Sequence, residues 1–174
     1  MISTALELRL VAQDDAPELL AFENRNRTFF ESWVNARPAE FYSEAGVALA
    51  IAHAQKMAAQ DQAYQYLVRD ASGLIGRVNL TQVKREHYQA ATLGYRVGQE
   101  MNGKGYAKAM VAAALQRAFG EHHLARIEAT ARPENLASAH VLRANGFTQF
   151  GHSKRCFTLH GVCYDLLYFE AHAR

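Results

Sequence analysis

A short stretch in the second half of the chain, residues 93–109, most constrains the fold. Its first part alternates like a β-strand up to Gly98, and apolar residues at helical spacing begin at Tyr106. Between them lie two glycines, Gly103 and Gly105, separated by one residue. The first N–H groups of a helix lack partners and lie at the positive end of its dipole, and glycine permits close approach of the main chain. The stretch therefore predicts a strand, a glycine turn and a helix that together suit a phosphate.

One other interpretation of these glycines follows from the same residues. A tight connection between a strand and a helix can need glycine for its own dihedral angles, with no ligand involved. The stretch is not a Walker loop, because no Gly-Lys-Ser/Thr follows at the required spacing, and it lacks the third glycine of the dinucleotide fingerprint. Lys104 and Lys108 add positive charge beside the turn, which favours an anion.

The whole chain shows alternating strand and helix patterns in one continuous order. We predict strands at 6–10, 64–69, 74–84, 89–98, 126–132, 147–157 and 162–169, and helices starting near residue 13 and at 42–60, 106–119 and 135–144. Residues 25–38 are polar and aromatic with no clean period, and are predicted to be irregular. In the strand at 74–84, Arg77 and Asn79 are predicted to face away from the core. The order β-α-α-β-β-β-α-β-α-β-β predicts an α+β fold, a mixed sheet with helices on both faces.

Composition narrows the class of protein. The 174 residues suit a single domain, 1–174, and 49% apolar residues permit a sizeable core. A net charge of +2 without a run of Lys and Arg argues against a nucleic-acid or membrane partner. With neither a signal sequence nor a long apolar stretch, we expect a cytoplasmic protein. Cys156 and Cys163 flank a predicted turn, and we expect them to remain thiols, since cytosolic disulfides are rare. No metal site is expected.

Three motifs in order carry a family resemblance. Residues 100–107, Glu-Met-Asn-Gly-Lys-Gly-Tyr-Ala, resemble the coenzyme A (CoA) motif of the GCN5-related N-acetyltransferase (GNAT) superfamily, Gln/Arg-x-x-Gly-x-Gly/Ala. Leu93-Gly94-Tyr95 precedes this motif, and Asn135-x-x-Ser138 and Asn145-Gly146-Phe147 follow it. Within the superfamily, the chain most resembles the ribosomal-protein N-terminal acetyltransferases of the RimJ/RimL type, through Glu23-Asn24-Arg25, Trp33 and the Leu-Gly-Tyr strand. Glu100 departs from the motif, and we expect its side chain to face solvent.

The resemblance implies acetyl-CoA as the cofactor and a sheet of about seven mostly antiparallel strands. It also implies a role for each matching residue. The main chain of Tyr95, Arg96 and Val97 would pair with the pantetheine arm, and the Asn135 side chain would bond its amide region. The pyrophosphate would be held by N–H groups of Gly103, Lys104, Gly105, Tyr106, Ala107 and Lys108.

The resemblance further places Ser138 near the thioester sulfur. Many relatives carry a tyrosine in this last helix, where this chain has Leu142, so Ser138 becomes the candidate catalytic residue that assists the departing thiolate. A serine on a helix surface, bonded to an earlier carbonyl, is the alternative. The strand glutamate of some relatives is also missing, since Thr92 stands near its place. Glu23, Glu31 and Glu86 are possible bases, although each is more commonly a solvated surface acid.

The acceptor is predicted to be the N-terminal amine of a protein, plausibly a ribosomal one. Residues 24–42 and the C-terminal hairpin would form its groove, with Glu23, Arg25, Trp33 and Arg37 as substrate-binding residues. A small amine acceptor, a non-catalytic acyl-CoA sensor and an unrelated phosphate-binding module are the alternatives. A monomer or a homodimer is expected.

Overall fold

In the computed structural model, which describes residues 6–174, the protein forms one seven-stranded sheet with four α-helices. The elements are β1 (Glu7–Leu10), α1 (Ala16–Glu31), α2 (Glu44–Ala59), β2 (Tyr64–Asp70), β3 (Gly73–Lys84), β4 (Ala90–Val97), α3 (Tyr106–Gln116), β5 (Arg126–Ala131), α4 (Leu136–Ala144), β6 (Thr148–Leu159) and β7 (Val162–His172). This order confirms the sequence prediction; residues 1–5 of the predicted domain lie outside the described part. No helix within residues 6–174 is long and apolar enough to cross a membrane.

The strands lie in the order β1-β2-β3-β4-β5-β7-β6. All neighbours are antiparallel except β4 and β5, which are parallel and are joined by the crossover through α3. The parallel pairing is short, because it joins only Ala90, Ala91 and Thr92 to Arg126, Ile127 and Glu128. Each strand then continues with its other neighbour alone, β4 with β3 and β5 with β7.

Helices cover both faces of the sheet, as predicted. On one face, α3 and α4 pack against the strands in a cluster that includes Val78, Leu93, Met110, Ala114 and Leu142. On the other face, α1 and α2 form a second cluster that includes Leu19, Phe22, Val47, Ile51 and Leu67. Strands covered on both sides bury alternate residues in opposite directions, so few positions along β2 and β3 reach solvent.

Helix α1 is longer than the sequence indicated. The prediction of an irregular segment from residue 25 is wrong for its first part, because the helix continues to Glu31. Its buried residues, Leu19, Phe22, Glu23, Asn26 and Phe30, recur at helical spacing, but two of them are polar. Because two of the inward-facing positions are polar, the apolar residues alone do not show the helical period of this segment.

A buried ion pair fastens α1 to the sheet. The Arg77 guanidinium on β3 donates a hydrogen bond to the Glu23 carboxylate, and the two side chains are 4% and 1% exposed. Two interpretations from the sequence are therefore wrong: Glu23 is not a solvated acid, and Arg77 lies under α1 rather than away from the core. Burial lowers the pKa of Arg77 to about 10, against the opposing influence of Glu23, so the guanidinium stays charged at neutral pH.

The two cysteines lie on the β6–β7 hairpin but do not face each other. Cys163 is the Cα partner of Thr158, so the position opposite it on β6 does not belong to Cys156. Both cysteines are exposed and free, as expected.

We expect Glu23→Gln to lower the free energy of unfolding by about 3 kcal/mol, because breaking a buried ion pair from one side leaves an uncompensated charge in the interior. Urea or thermal unfolding measures the loss. Glu31→Gln is the matched control: it removes a carboxylate from the same helix, but one whose partner Arg27 lies one turn away at the surface. Equal losses in the two variants would show that the buried ion pair contributes no more to stability than the surface pair does.

Candidate active site

An opening in the middle of the sheet defines the candidate site. Beyond Thr92 and Glu128, β4 and β5 share no pairing in the described chain, although both strands continue, to Val97 and to Ala131. The main-chain groups of β4 that face this opening therefore lack a strand partner. They belong to the segment containing Tyr95, Arg96 and Val97, which was predicted to pair with a pantetheine arm.

The glycine turn at the end of β4 has the geometry of an anion cradle. Gly103 and Gly105 both have positive φ, +72° and +83°, and a Cβ built on either would meet no atom within 4 Å. Packing therefore does not require glycine here, whereas the left-handed backbone and the free space in front of it do. The first helical hydrogen bond runs from Ala109 N–H to Gly105 O at 3.2 Å, which leaves the earlier amides at the helix start without helical acceptors.

The charge around this turn also suits a phosphate. The first turn of α3 contains no acidic residue, and Lys104 and Lys108 are exposed beside it. Tyr106 and Ala107 complete the turn and are half-buried. These residues fit the pyrophosphate of a CoA thioester, with main-chain amides as donors and the two lysines as counter-charges.

Contacts from α1 and from the β2–β3 turn hold the glycine turn in place. Asn26 is buried, and its side chain accepts a hydrogen bond from Gln99 N–H at 2.8 Å, while the Tyr106 hydroxyl donates to Asp70 at 2.6 Å. Glu100 is exposed, as expected, and pairs with Arg25 at 3.2 Å. Arg25, predicted to bind the acceptor, thus lies beside the glycine turn.

Ser138 faces the opening from α4, where its hydroxyl lies 3.1 Å from the hydroxyl of Tyr95. Asn135 is the N-cap of α4, and its side-chain oxygen accepts a hydrogen bond from Ser138 N–H at 3.0 Å. The capping bond therefore orients Ser138. Burial raises the pKa of Tyr95, against the smaller opposing influence of Ser138, so Tyr95 keeps its proton at neutral pH. Sequence reasoning assigned Tyr95 only a main-chain role and missed this pair of hydroxyls.

On the α1 face of the sheet, the end of α1 meets the C-terminal hairpin. Arg132, which follows β5, lies between two aromatic rings: its guanidinium carbon is 4.8 Å from the centroid of Trp33 and 4.2 Å from that of Tyr164. The His160 ring nitrogen in the β6–β7 turn lies 2.9 Å from the main-chain oxygen of Glu31. The two segments predicted to form an acceptor groove are therefore in contact.

Arg37 lies in this region, stacked over the ring of Phe41 at 4.3 Å, with its Nε 3.8 Å from the Glu23 carboxylate. Glu23 also lies 3.5 Å from Arg96 of β4. Because Glu23 is buried, it has no surface to offer a substrate and acts through the arginines that contact it. Of the four residues predicted to bind the acceptor, Trp33 and Arg37 are partly exposed near the opening.

None of the three candidate bases is a free carboxylate beside the opening. Glu23 is bonded to Arg77, and Glu31 accepts hydrogen bonds from Arg27 and from the Tyr42 hydroxyl. The hydrogen bond from Arg27 lowers the pKa of Glu31, which weakens it as a base. Glu86 lies in the turn before β4, at the opposite end of that strand from Val97.

Arg132 and Tyr164 are further residues that sequence reasoning missed. Arg132 follows a strand directly and precedes a proline, so its side chain lies where the sheet opens. Its place at the carboxyl end of a parallel strand, where ligands bind in open α/β sheets, is the signal that would have found it. Tyr164 had no such signal, because its contact with Arg132 depends on the register of the final hairpin.

Known proteins are similar to this chain in sequence and in fold. The acetyltransferase (GNAT) domain family matches residues 5–148. The probable N-acetyltransferase YjcK of Bacillus subtilis is 35% identical over 153 residues, which cover 87% of this chain and 84% of that protein. The ribosomal-protein-S5-alanine acetyltransferase of Vibrio fischeri superposes with a TM-score of 0.92 at 26% identity, covering 96% of this chain and 92% of that one.

A third similar protein supports the choice of cofactor. Mycobacterium smegmatis RimJ, whose structure is a complex with CoA-disulfide, superposes with a TM-score of 0.89 at 25% identity and covers 97% of this chain and 82% of that one. The match to the family and the CoA-bound relatives agree with the strand, glycine turn and helix found here, and acetyl-CoA is the cofactor. The chain belongs to the GNAT family of N-acetyltransferases.

Proposed function

We propose that this acetyltransferase transfers the acetyl group of acetyl-CoA to the N-terminal amine of a protein. The contact between the end of α1 and the C-terminal hairpin carries the proposal, because it forms an aromatic and basic wall beside the opening between β4 and β5. The similarity to proteins named as ribosomal-protein alanine acetyltransferases supports a protein acceptor, and a ribosomal protein is the expected case.

The reaction depends more on positioning acetyl-CoA and the amine than on strong acid or base catalysis. Acetyl-CoA supplies an acetyl thioester; the amine nitrogen forms a bond to the carbonyl carbon, the C–S bond breaks, and the proton lost by the amine balances the one gained by the CoA thiolate. Holding the two reactants in line can supply much of the rate. The unpaired main chain of β4 and the cradle at Gly103 and Gly105 would hold one reactant, and the wall near Trp33 the other.

Ser138 is proposed to donate a proton to the departing thiolate. Its hydroxyl lies 3.1 Å from that of Tyr95, which stays protonated because burial raises its pKa. Tyr95 can pass its proton to Ser138 as the serine donates, and the proton lost by the amine, carried through water, restores Tyr95, so that neither hydroxyl is left charged. This pair replaces the single tyrosine that Leu142 excludes.

An N-terminal amine fits a site without a strong base. Its pKa is near 8, so a useful fraction is neutral at physiological pH, whereas a lysine side chain, near 10.4, must lose its proton against a larger free-energy difference. Glu23 and Glu31 are bonded to arginines, and Glu86 lies at the opposite end of β4 from the glycine turn. The proton of the amine is therefore expected to leave through water.

A small amine is the second candidate acceptor. Solved structures with this fold include a spermidine N-acetyltransferase of Vibrio cholerae, so the fold alone does not choose the acceptor. The non-catalytic sensor is not retained, because the relatives of this chain are N-acetyltransferases. Whether the protein is a monomer or a homodimer remains a prediction that solution measurements would test.

We expect Gly105→Asp to abolish acetyl-CoA binding while the protein stays folded. The new carboxylate would occupy the open space at the helix start and repel the pyrophosphate. Calorimetry and the thermal shift with acetyl-CoA measure the effect. Gly161→Asp is the matched control, since Gly161 also has a positive φ, +78°, and open space, but lies in the β6–β7 turn. A normal thermal shift in the Gly105 variant would contradict the cradle.

We expect Ser138→Ala to lower turnover about ten-fold or more, the scale of modest acid catalysis, with little change in affinity for acetyl-CoA. Tyr95→Phe should lower turnover in the same sense, because it removes the hydroxyl that supports Ser138. Single-turnover kinetics under conditions where chemistry limits the rate are the measurement. An unchanged rate for Ser138→Ala would leave the serine with a structural role on α4.

The acceptor is tested by competition between two peptides. One carries a free N-terminal Ala or Ser and no lysine, and the other has a blocked N-terminus and one lysine. We expect the first to be acetylated preferentially, because its amine is more often neutral. Release of CoA thiol and mass spectrometry report the product. Preferential acetylation of the blocked peptide would overturn the proposed acceptor, and rapid turnover of a small amine with neither peptide acetylated would establish the second candidate.

A further inference from the structure

Three arginines surround one carboxylate between α1 and the sheet. Glu23 bonds to Arg77 through one oxygen, and its other oxygen lies 3.5 Å from Arg96 and 3.8 Å from Arg37. Glu23 and Arg77 are buried, whereas the side chains of Arg37 and Arg96 are 26% and 25% exposed. The cluster therefore has a closed inner part and an outer part that a ligand can reach.

The charges in this cluster do not balance. One carboxylate faces three guanidinium groups. The other acids of α1, Glu18 and Glu31, are already bonded to Arg69 and Arg27. Burial and the positive charge of Arg37 lower the pKa of Arg96, against the opposing influence of Glu23. The Nε atom of Arg37 is also buried without a hydrogen-bond partner among the described residues. Guanidinium groups held this way are stabilised by an added anion.

A second guanidinium with unpaired donors among the described residues lies near the same end of α1. Arg132 is 11% exposed, and its Nε and Nη1 atoms have no hydrogen-bond partner within residues 6–174. Its closest acid, Glu134, is 3.8 Å from Nε, beyond hydrogen-bond distance. Trp33 contacts Arg132, and Phe30, one helical turn earlier, lies 5.2 Å from the Arg96 guanidinium. Both sets of arginines therefore border the wall assigned to the acceptor.

We propose that the acceptor carries a carboxylate close to its reactive amine, held by Arg37 and Arg96. This inference rests on the proposed function and names its substrate class: a protein N-terminus with an Asp or Glu among its first residues. Arginine binds carboxylates through paired hydrogen bonds, and a partly desolvated site strengthens them. The same excess of positive charge disfavours a polyamine, which would add further cations to the site.

Matched peptides test the inference. Peptides with N-terminal Ala, an amidated C-terminus and either Glu or Gln at the second or third position differ only in one charge. We expect kcat/KM for the better Glu peptide to exceed that for its Gln counterpart by about ten-fold, the scale of hydrogen bonds to a charged group. Equal rates would overturn the inference and leave the proposed function standing. Faster turnover of spermidine than of any peptide would overturn both.

A free amino acid distinguishes a carboxylate carried by a protein N-terminus from one carried by a small molecule. If free glutamate is acetylated rapidly and no peptide is, the carboxylate site stands and the protein acceptor is wrong. If neither peptides nor free amino acids are acetylated, the proposed function and this inference both fail. Since each outcome differs in which acceptor reacts, failure of the charge preference is distinguishable from failure of the acceptor class.

Variants then test whether Arg37 causes the preference for the Glu peptide. Arg37→Gln should lower kcat/KM for the Glu peptide far more than for the Gln peptide, reducing the preference to about two-fold, and Arg37→Lys should restore part of it. Arg117→Gln is the matched control, because Arg117 pairs with Glu121 at the far end of α3. A wild-type thermal shift with acetyl-CoA shows that each variant is folded. An unchanged preference in Arg37→Gln, with the fold intact, would contradict the assignment.

Discussion

The buried contact between Glu23 and Arg77 is the interaction on which the rest of the structure depends. It places a charged residue of α1 directly on β3, so the helix cannot slide or rotate without exposing an unpaired charge to the interior. One turn further along the same helix, Asn26 accepts a hydrogen bond from the turn that leads to Gly103. The end of the helix then presents Phe30 and Trp33 to arginines of the sheet. A single helix thus positions the proposed cofactor and acceptor sides together.

This arrangement explains which parts of the fold the sequence could predict. Helices with regular apolar spacing, such as α2 and α3, were predicted to within a few residues, because their burial follows their period. The second half of α1 was not, since Glu23 and Asn26 are polar and yet buried. Pattern analysis assumes that charged residues face solvent, and only the three-dimensional partner, Arg77, shows that here one does not.

Some parts of the candidate site were likewise predictable from the sequence, and others were not. The glycine turn was predictable because local geometry decides it: positive φ values and an exposed helix start are properties of a few consecutive residues. The pair of Tyr95 and Ser138, 43 positions apart in the chain, depends on how α4 lies against β4. The position of Arg132 between Trp33 and Tyr164 joins three distant segments. No spacing in the sequence encodes such contacts, since the tertiary packing alone brings them together.

The interrupted pairing between β4 and β5 links the fold to metabolism. In the proposed binding mode the CoA thioester takes the place of the missing strand partner, so its binding energy adds to the free energy of folding. A ligand present at a hundred times its Kd stabilises a native state by about 2.7 kcal/mol. Resistance to unfolding and to proteolysis would therefore rise and fall with the supply of CoA thioesters, and a cell short of them would hold less of the enzyme.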